Sequence, residues 1–332
     1  MALLEIKGLK THFKTDEGWL HAVDGVDISI DRGETVCVVG ESGCGKTVTA
    51  MTVLKLLPMP PGRIVGGQVL WQGRDLVQAS SEEMRRVRAK EIAIVFQEPM
   101  TSLNPVYSVG EQIAESLRLH EGLGRKAALE RAVEMLALVR IPTPQQRVND
   151  YPHQFSGGMR QRVMIAIALA CNPKLLIADE PTTALDVTIQ AQILDLLGEL
   201  KERLGMAIML ITHAMGVVAE VAQRVVVMYA GKVVEEASVE ELFARPRHPY
   251  TQGLIRSIPR IDTAALHKVR LEQIPGTVPK LIAPPEGCRF APRCRYATPE
   301  CVRATPPLRE VVPGHRVACI FDEFPMTAAA AT

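Results

Sequence analysis

The sequence predicts an α/β fold whose core is a mostly parallel β-sheet covered by helices. Between about residues 175 and 229, short apolar segments alternate with longer helical segments, and the connections between them are short. Such alternation is typical of parallel strands joined by crossover helices. Earlier in the chain, the apolar run Thr35–Val39 ends at a glycine, which is the pattern of a buried strand that leads into a loop.

The first ninety-odd residues are predicted to be rich in strands and to contain one helix near their middle. That helix is expected to begin near Lys46 and to stop by Pro58, because the Pro-Met-Pro-Pro-Gly sequence there ends any helix. The predicted strands, which alternate or run apolar, cover residues 3–9, 26–30, 35–39 and 92–96.

A helical insert is predicted between these strands and the alternating core, and an irregular extension is predicted after the core. In the insert, apolar residues recur at helical spacing over 110–120, 126–139 and 158–170. From about residue 240 the pattern weakens and proline becomes frequent. The predicted units are a core of residues 1–97 and 171–236, a helical subdomain of residues 98–170, and an extension of residues 237–332.

The composition argues against a nucleic-acid-binding protein and against a membrane-spanning one. The formal net charge is +1, which leaves no excess of positive charge for a phosphate backbone. No uninterrupted apolar run reaches eighteen residues, and the N-terminal apolar stretch ends too early for a signal peptide. We therefore expect a cytosolic protein that reaches a membrane only through a partner.

The segment Gly40–Thr47 fits the phosphate-binding pattern G-x-x-x-x-G-K-[ST], directly after a predicted strand and at the start of a predicted helix. Its glycines let backbone amides turn toward phosphate, Lys46 brings a positive charge to the β- and γ-phosphates, and Thr47 offers a hydroxyl to Mg²⁺. The predicted nucleotide-binding residues of this loop are Gly40, Ser42, Gly43, Cys44, Gly45, Lys46 and Thr47.

Two adjacent carboxylates follow the apolar run Leu175–Ala178 and precede Pro181. Asp179 ends the predicted strand, so it is expected beside the magnesium bound to Thr47. Side chains alternate at the end of a strand, so Glu180 is expected to point toward a water that attacks the γ-phosphate. Lys46 and the metal would then stabilise the charge on the transferring group.

A second phosphate cradle is predicted at Ser156-Gly157-Gly158, where a Ser-Gly-Gly turn opens a helix. One nucleotide seldom needs two such cradles in a single chain. We therefore expect the second cradle to serve a nucleotide held by a different subunit.

These motifs, in this order, resemble those of the ATP-binding subunits of ABC transporters. Segment 40–47 resembles the Walker A loop, segment 175–180 the Walker B strand, and segment 155–161 the signature sequence, with Phe155 in place of the usual leucine. The single residues that match are Gln97 of the Q-loop, Ala184-Leu185-Asp186 of the D-loop, the switch histidine His213, and Phe13 (with Trp19 as an alternative) in the place of the aromatic that stacks on adenine.

The resemblance implies a P-loop NTPase fold with an antiparallel β subdomain, and an ATPase that works as a dimer. Two subunits sandwich two ATP molecules, so Ser156, Gly157, Gly158 and Gln161 would contact the nucleotide of the partner subunit. The catalytic residues would be Glu180, His213 and Gln97, and the magnesium residues would be Thr47, Gln97 and Asp179. Ala214 departs from the family, which usually has an acid after the switch histidine, and this places the coupling between subunits in question.

The extension resembles that of the ATPase subunits of bacterial dipeptide and oligopeptide importers, the D-type subunit of dipeptide permeases in particular. The segments that carry this resemblance are 245–251, 274–276, 100–105 and 151–154. It implies a peripheral protein on the cytoplasmic face of the inner membrane, with a second, related ATPase subunit, two integral membrane permease subunits and an extracytoplasmic substrate-binding protein. Nickel chelates, glutathione and antimicrobial peptides are alternative cargoes, and a soluble ABC-type ATPase in DNA repair or on ribosomes is the rival outside transport.

The seven cysteines fall into two groups. Cys37, Cys44 and Cys171 are expected to be small buried or loop thiols in a reducing compartment. The remaining four lie in the proline-rich extension, where clustered cysteines in a cytosolic chain indicate a metal site rather than disulfides. The importer resemblance implies that Cys288, Cys294, Cys301 and Cys319 hold a 4Fe–4S cluster; structural zinc and free thiols remain the alternatives.

Overall fold

The computed structural model describes residues 2–183, 185–258 and 273–322. Its strands form two sheets. The strands of the described residues are β1 (Leu4–Thr15), β2 (Gly18–Ile30), β3 (Thr35–Val39), β4 (Gly62–Trp71), β5 (Arg74–Asp75), β6 (Ile92–Val95), β7 (Leu175–Asp179), β8 (Ala207–Thr212), β9 (Arg224–Tyr229), β10 (Lys232–Ser238), β11 (Arg309–Val312) and β12 (His315–Val317).

The smaller sheet is antiparallel, with the strand order β2-β1-β4-β5. Strand β1 is its centre and pairs Leu4 with Ile30 of β2 and with Trp71 of β4. The inward side chains of β1 alternate with exposed ones and join the hydrophobic core, as a sheet with one solvated face requires. This agrees with the antiparallel subdomain that the family resemblance implies.

The larger sheet has the order β11-β12-β10-β9-β3-β8-β7-β6. From β9 to β6 the neighbouring strands are parallel. Every residue of β3, β7 and β8 is buried, because one face of the sheet packs against helices and the other packs against the smaller sheet together with residues 50–54. The carboxyl ends of β3, β6, β7 and β8 therefore meet along one edge, which brings distant parts of the chain together.

The helices of the described residues include the predicted insert, which lies between β6 and β7. The first helix begins at Lys46 and ends at Val53, before Pro58, as predicted. The helices are α1 (Lys46–Val53), α2 (Ser81–Val87), α3 (Pro99–Ser102), α4 (Val109–Glu121), α5 (Arg125–Leu138), α6 (Pro144–Arg147), α7 (Gly157–Leu169), α8 (Val187–Leu204), α9 (Met215–Val221), α10 (Val239–Ala244), α11 (Pro249–Arg256) and α12 (Pro299–Arg303).

The extension is more ordered than the sequence predicts. Its hairpin β11–β12 adds to the edge of the larger sheet, where Val317 pairs with Glu235 of β10. Behind this edge Glu235 is fully buried, and it accepts hydrogen bonds from the backbone N–H groups of Arg247 (2.6 Å) and His248 (2.9 Å) and contacts Nε2 of His315 at 2.8 Å. Strands of three and four residues are too short to recognise by alternation. None of the helices within the described ranges is both long enough and apolar enough to cross a membrane.

Candidate nucleotide site

The phosphate loop connects β3 to α1 and packs closely against neighbouring backbone. A Cβ on Gly40 would lie 2.1 Å from the carbonyl oxygen of Met228, and one on Gly45 would lie 2.4 Å from that of Ala22. Gly45 also has a φ of 102°, which favours glycine. Any side chain at these two positions would clash with this neighbouring backbone and displace the loop.

Lys46 is buried at the base of this loop, and its side chain is 5% exposed. Its Nζ donates to the carbonyl oxygens of Gly40 at 2.7 Å and Glu41 at 3.1 Å. The ammonium is therefore held within the curve of the loop by the loop's own carbonyl oxygens. This geometry places a fixed positive charge where the sequence predicts phosphate.

Asp179, at the end of β7, is 3% exposed, and its Oδ1 has no hydrogen-bond partner. Burial raises the pKa of this carboxyl, while a hydrogen bond with the Thr47 side chain lowers it. A buried carboxylate oxygen without a partner is costly, and a bound cation would satisfy it. Carboxylate and hydroxyl oxygens are also the ligands that Mg²⁺ prefers, so this pair fits the predicted metal.

The Glu180 carboxylate contacts three side chains, two of them from distant parts of the chain. Its Oε2 accepts from Nε2 of Gln97 at 3.0 Å and from the Thr183 hydroxyl at 2.9 Å, and its Oε1 lies 3.1 Å from Nδ1 of His213. Gln97 follows β6, Glu180 follows β7 and His213 follows β8. The three residues predicted to be catalytic therefore form one hydrogen-bonded group at the carboxyl edge of the sheet.

This group and the phosphate loop line one open cavity of about 750 Å³. Phe13 lies in its wall, whereas Trp19, 41% exposed, is not among the lining residues. Six lining residues were not predicted as site residues: Leu20, Ala22, Glu41, Val48, Thr183 and Leu254. Thr183 and Leu254 lie outside the predicted motifs, and Leu254 belongs to the extension. The lining residues are Phe13, Leu20, Ala22, Gly40, Glu41, Ser42, Gly43, Gly45, Lys46, Thr47, Val48, Gln97, Glu180, Thr183, His213 and Leu254.

The second cradle, Ser156-Gly157-Gly158, lies away from this cavity and at the start of α7. Ser156 is the N-cap of that helix and accepts from the N–H of Met159 at 3.4 Å. A Cβ on Gly158 would lie 2.7 Å from the Ile189 side chain, so α8 packs too closely for any other residue. None of the three residues lines the cavity that holds the phosphate loop.

Gln161 does not agree with its predicted role. It is 1% exposed and lies on the inward face of α7, so its side chain cannot reach a nucleotide held by another subunit in this conformation. The prediction extended the signature one helical turn too far into the packed part of α7. Asp186, predicted in the D-loop, is the N-cap of α8 and accepts from the N–H of Ile189 at 2.9 Å; Ala184 of the same motif lies outside the described residues.

Comparisons with known proteins agree with this geometry. Residues 23–183 match the family described as ABC transporter, and residues 234–301 match the oligopeptide/dipeptide transporter C-terminal region. A probable peptide ABC transporter ATP-binding protein of Sinorhizobium fredii is 56% identical over 96% of this chain and 94% of its own length. The chain belongs to the family of peptide ABC transporter ATP-binding proteins.

A second curated relative and a solved structure add to this comparison. The oligopeptide transport ATP-binding protein OppD of Bacillus subtilis is 54% identical over 95% of this chain and 87% of its own length. A dimeric ATP-binding cassette solved in a post-hydrolysis state with ADP and phosphate superposes with a TM-score of 0.64, at 28% identity, over 71% of this chain and 98% of its own. ABC transporter ATP-binding proteins hydrolyse ATP, and the fold and activity predicted from the motifs are confirmed.

The four cysteines of this ABC protein's extension converge on one place. Cys288, Cys294, Cys301 and Cys319 all line a small cavity of about 10 Å³, and none forms a disulfide. The Cys288 N–H donates to the Cys301 carbonyl oxygen at 2.7 Å, which ties two of the segments together. Burial raises the pKa of Cys288 and Cys294, and raises that of Cys319 to about 11, so a bound cation would be needed to hold them as thiolates.

A different group has the closest spacing for a single ion. Among the described residues, the only trio of potential ligand atoms within 4.8 Å of one another belongs to His12, His21 and Asp24. Asp24 is already paired with Arg289 and, at 3.7 Å, with Lys232. These positive charges oppose a cation there. The cysteines Cys37, Cys44 and Cys171 are buried free thiols, as predicted.

Proposed function

We propose that this chain is the ATP-hydrolysing subunit that powers import of di- or oligopeptides through a membrane complex. The observation that carries the proposal is the convergence of Gln97, Glu180 and His213 beside the phosphate loop, in a chain whose relatives are named as peptide import proteins. The importer-type C-terminal region over residues 234–301 supports the transport role over a soluble ATPase.

In the proposed reaction, Glu180 accepts the proton of the attacking water. Its carboxylate is 16% exposed and is oriented by Gln97 and Thr183, so it faces the cavity in a fixed position. The His213 side chain is 60% exposed, and its Nδ1 contacts the same carboxylate. Its Nε2 would then reach the γ-phosphate. Lys46 and the loop amides balance the phosphate charge.

Phe13 would stack on the adenine. Thr47, Asp179 and Gln97 would hold Mg²⁺, which supplies charge neutralisation of the triphosphate when bound.

The second cradle supports a site shared between two ATPase subunits. Ser156, Gly157 and Gly158 present the N-terminal end of α7, a thirteen-residue helix whose first amides favour an anion. Since they do not line this chain's own cavity, a nucleotide on a partner subunit is the ligand that the arrangement fits. Asp186 would lie at the same interface. We infer a related but different ATPase subunit as the partner, from the resemblance to one member of a heteromeric pair.

The surface after Gln97 supports contact with integral membrane permease subunits. Met100, Val106 and Tyr107 are 62%, 72% and 54% exposed, which is unusual for large apolar side chains so close together in sequence. They follow the residue that contacts Glu180, so motion at the nucleotide can reach this surface. The subunit would thus lie peripherally on the cytoplasmic face of the inner membrane, and a substrate-binding protein would deliver peptide from the other side.

The four extension cysteines fit a 4Fe–4S cluster better than zinc. A single tetrahedral zinc ion would bring its four sulfurs within about 4 Å of one another. No trio of these sulfurs lies within 4.8 Å, although all four line one cavity. A cluster, whose ligands bind separate iron atoms, accommodates wider spacing. We propose that the cluster fastens the loops of the extension.

Two measurements test these proposals. A tagged chain purified in detergent from its own cells should bring down two integral membrane subunits and a second ATPase; recovery as a soluble protein without them would contradict the importer role. Anaerobic preparations should contain iron and acid-labile sulfide in equal amounts. Zinc without iron would overturn the cluster proposal and leave the ATPase proposal standing.

The cargo requires a separate test. ATP hydrolysis by the assembled complex should be stimulated by di- or oligopeptides presented with the binding protein. Stimulation by a nickel chelate or glutathione alone, without stimulation by peptides, would reassign the cargo.

A further inference from the structure

The extension contacts the phosphate loop itself at Glu41. Arg293 forms a bidentate ion pair with the Glu41 carboxylate, with Nη1 to Oε2 at 2.6 Å and Nη2 to Oε1 at 3.0 Å. The hydroxyl of Tyr250 accepts from the Glu41 N–H at 2.7 Å. Both the backbone and the side chain of a phosphate-loop residue are therefore held by residues more than 200 positions away in sequence.

Arg293 is itself rigidly held, unlike a typical surface arginine. Its side chain is 4% exposed, its Nε donates to the Pro275 carbonyl oxygen at 2.8 Å, and its guanidinium carbon lies 5.7 Å from the centre of the Tyr229 ring. Such a buried, fixed pair is screened little by solvent. The position of the Glu41 carboxylate therefore depends on the extension.

The loop that carries Arg293 is anchored at a second point. Arg289, also 4% exposed, pairs with Asp24 of β2 and donates to the carbonyl oxygen of Ala230. Between the two arginines, Phe290 packs edge-on to the ring of Tyr229 at 5.2 Å. Cys288 and Cys294 bracket this loop, so the proposed cluster would fix both of its ends.

The charge of Glu41 gives the contact a consequence for ligand binding. Glu41 lines the nucleotide cavity, and its side chain is 30% exposed. A carboxylate without a partner at this place would repel the phosphates of ATP. Arg293 pairs with the Glu41 carboxylate and so removes that repulsion. It also holds the carboxylate toward the extension.

We propose that Arg293 is a positioning residue for ATP binding, which neutralises and orients Glu41 of the phosphate loop. The proposal rests on the proposed ATP site, and it gives the extension a part in the nucleotide chemistry in addition to its part in the fold. It predicts that the two substitutions differ in effect. Replacing Arg293 by a neutral residue leaves the Glu41 carboxylate unpaired, so it repels the phosphates of ATP. Replacing Glu41 by a neutral residue removes the carboxylate and leaves no such repulsion.

The test is a comparison of nucleotide affinities in four full-length variants of equal iron content. Arg293→Met should bind a non-hydrolysable ATP analogue about tenfold more weakly than the wild type, and Glu41→Gln less than about threefold more weakly. The double variant should bind the ATP analogue with an affinity close to that of Glu41→Gln. The loss in Arg293→Met should be smaller for ADP, which carries less charge. Arg295→Met, an exposed arginine stacked on Tyr296 two residues further along, is the matched control and should bind as the wild type does.

Melting temperatures without nucleotide distinguish this role from a purely structural one. A structural role would lower the melting temperature of Arg293→Met and leave the double variant as weak as the single one. That result, or an Arg293→Met variant that binds within twofold of the wild type, would overturn the inference. If the wild type itself bound no ATP, the proposed function would fail first, and the two failures are therefore distinguishable.

Discussion

Glu180 lies where the carboxyl ends of β6, β7 and β8 meet, and two of the residues that contact its carboxylate come from distant parts of the chain. Gln97, Thr183 and His213 each contact its carboxylate. Glu180 also adopts a φ of 47°. This backbone conformation is unfavourable for a non-glycine residue, and it persists only where surrounding contacts hold it. Its N–H donates to the Ile211 carbonyl oxygen at 2.9 Å, which fixes that backbone.

Replacing Glu180 by Gln should remove the base and keep most of the hydrogen bonds. We expect ATP hydrolysis to fall by about 10²–10³-fold, with ATP binding retained, because the amide cannot accept a proton from water. Single-turnover hydrolysis and nucleotide trapping by the purified complex measure this. Thr183→Val leaves the carboxylate in place and should lose far less activity. Undiminished turnover in Glu180→Gln would assign the base to another group.

Ala214 leaves the start of α9 without a side-chain cap. It occupies the N-cap position with extended backbone angles, and it makes no side-chain hydrogen bond there. Ala214→Ser should raise the free energy of unfolding by about 1 kcal/mol, because the hydroxyl can accept from a free N–H of the first turn. Urea unfolding measures the change. Ala214→Val, which cannot cap, should bring no gain, and an equal gain in both variants would contradict the capping account.

At this scale the sequence predicts a residue where its chemistry and its place after a strand coincide. Asp179 and Glu180, at the end of a buried strand, were proposed in this way; Lys46 was proposed from the phosphate-loop pattern and His213 from the family resemblance. Thr183 has no such signal, because a threonine in a loop is common. Gln161 was misplaced, because burial depends on how α7 packs against its neighbours and the motif alone does not contain that information.

In the core, the strands of the larger sheet from β9 to β6 were predicted with nearly correct bounds, whereas β4, β5, β10 and the first half of β2 were not predicted. The strands of the extension were not predicted either. Strands β3 and β7 are continuous apolar runs, so their ends were almost correct. Strands β11 and β12 are short and half-buried, and they are stabilised by pairing with β10, a contact distant in sequence. Their attachment through buried Glu235 and His315 depends on tertiary structure that no local window contains.

The junction between the core and the extension should also respond to pH through His248. This residue is the N-cap of α11, and its Nδ1 accepts from the Tyr250 N–H at 3.1 Å. Complete burial lowers the pKa of His248 to about 4. The unfolded chain, with an ordinary histidine pKa near 6.5, therefore binds a proton that the folded chain excludes. Stability contributed by His248 is fully present above about pH 6.5 and is lost progressively as the pH falls toward about 4.

Between about pH 7 and about pH 5, this histidine alone should lower the free energy of unfolding by about 2 kcal/mol. Denaturant unfolding at the two pH values measures the loss. His248→Asn retains an acceptor for the Tyr250 N–H and has no proton to gain, so its loss over the same range should be smaller by that amount. Equal pH dependence in both proteins would show that His248 is protonated without cost.

At the scale of the whole molecule, the nucleotide cavity that contains Lys46 and the phosphate cradle of residues 156–158 lie on separate surfaces. Ser156, Gly157 and Gly158 do not line the cavity that contains Lys46, and Gly158 packs closely against Ile189 of α8. Two chains that face each other can complete both sites. The extension contacts the phosphate loop through the bonds of Tyr250 and Arg293 to Glu41.

The most direct measurement is uptake of a labelled peptide by proteoliposomes that contain the assembled complex, with ATP on the side of this chain. The wild-type chain should give uptake that depends on ATP, and Glu180→Gln should abolish it while the complex remains assembled. ATP-dependent uptake that persists at the wild-type rate with Glu180→Gln would contradict the account, because hydrolysis at this site would then not power import.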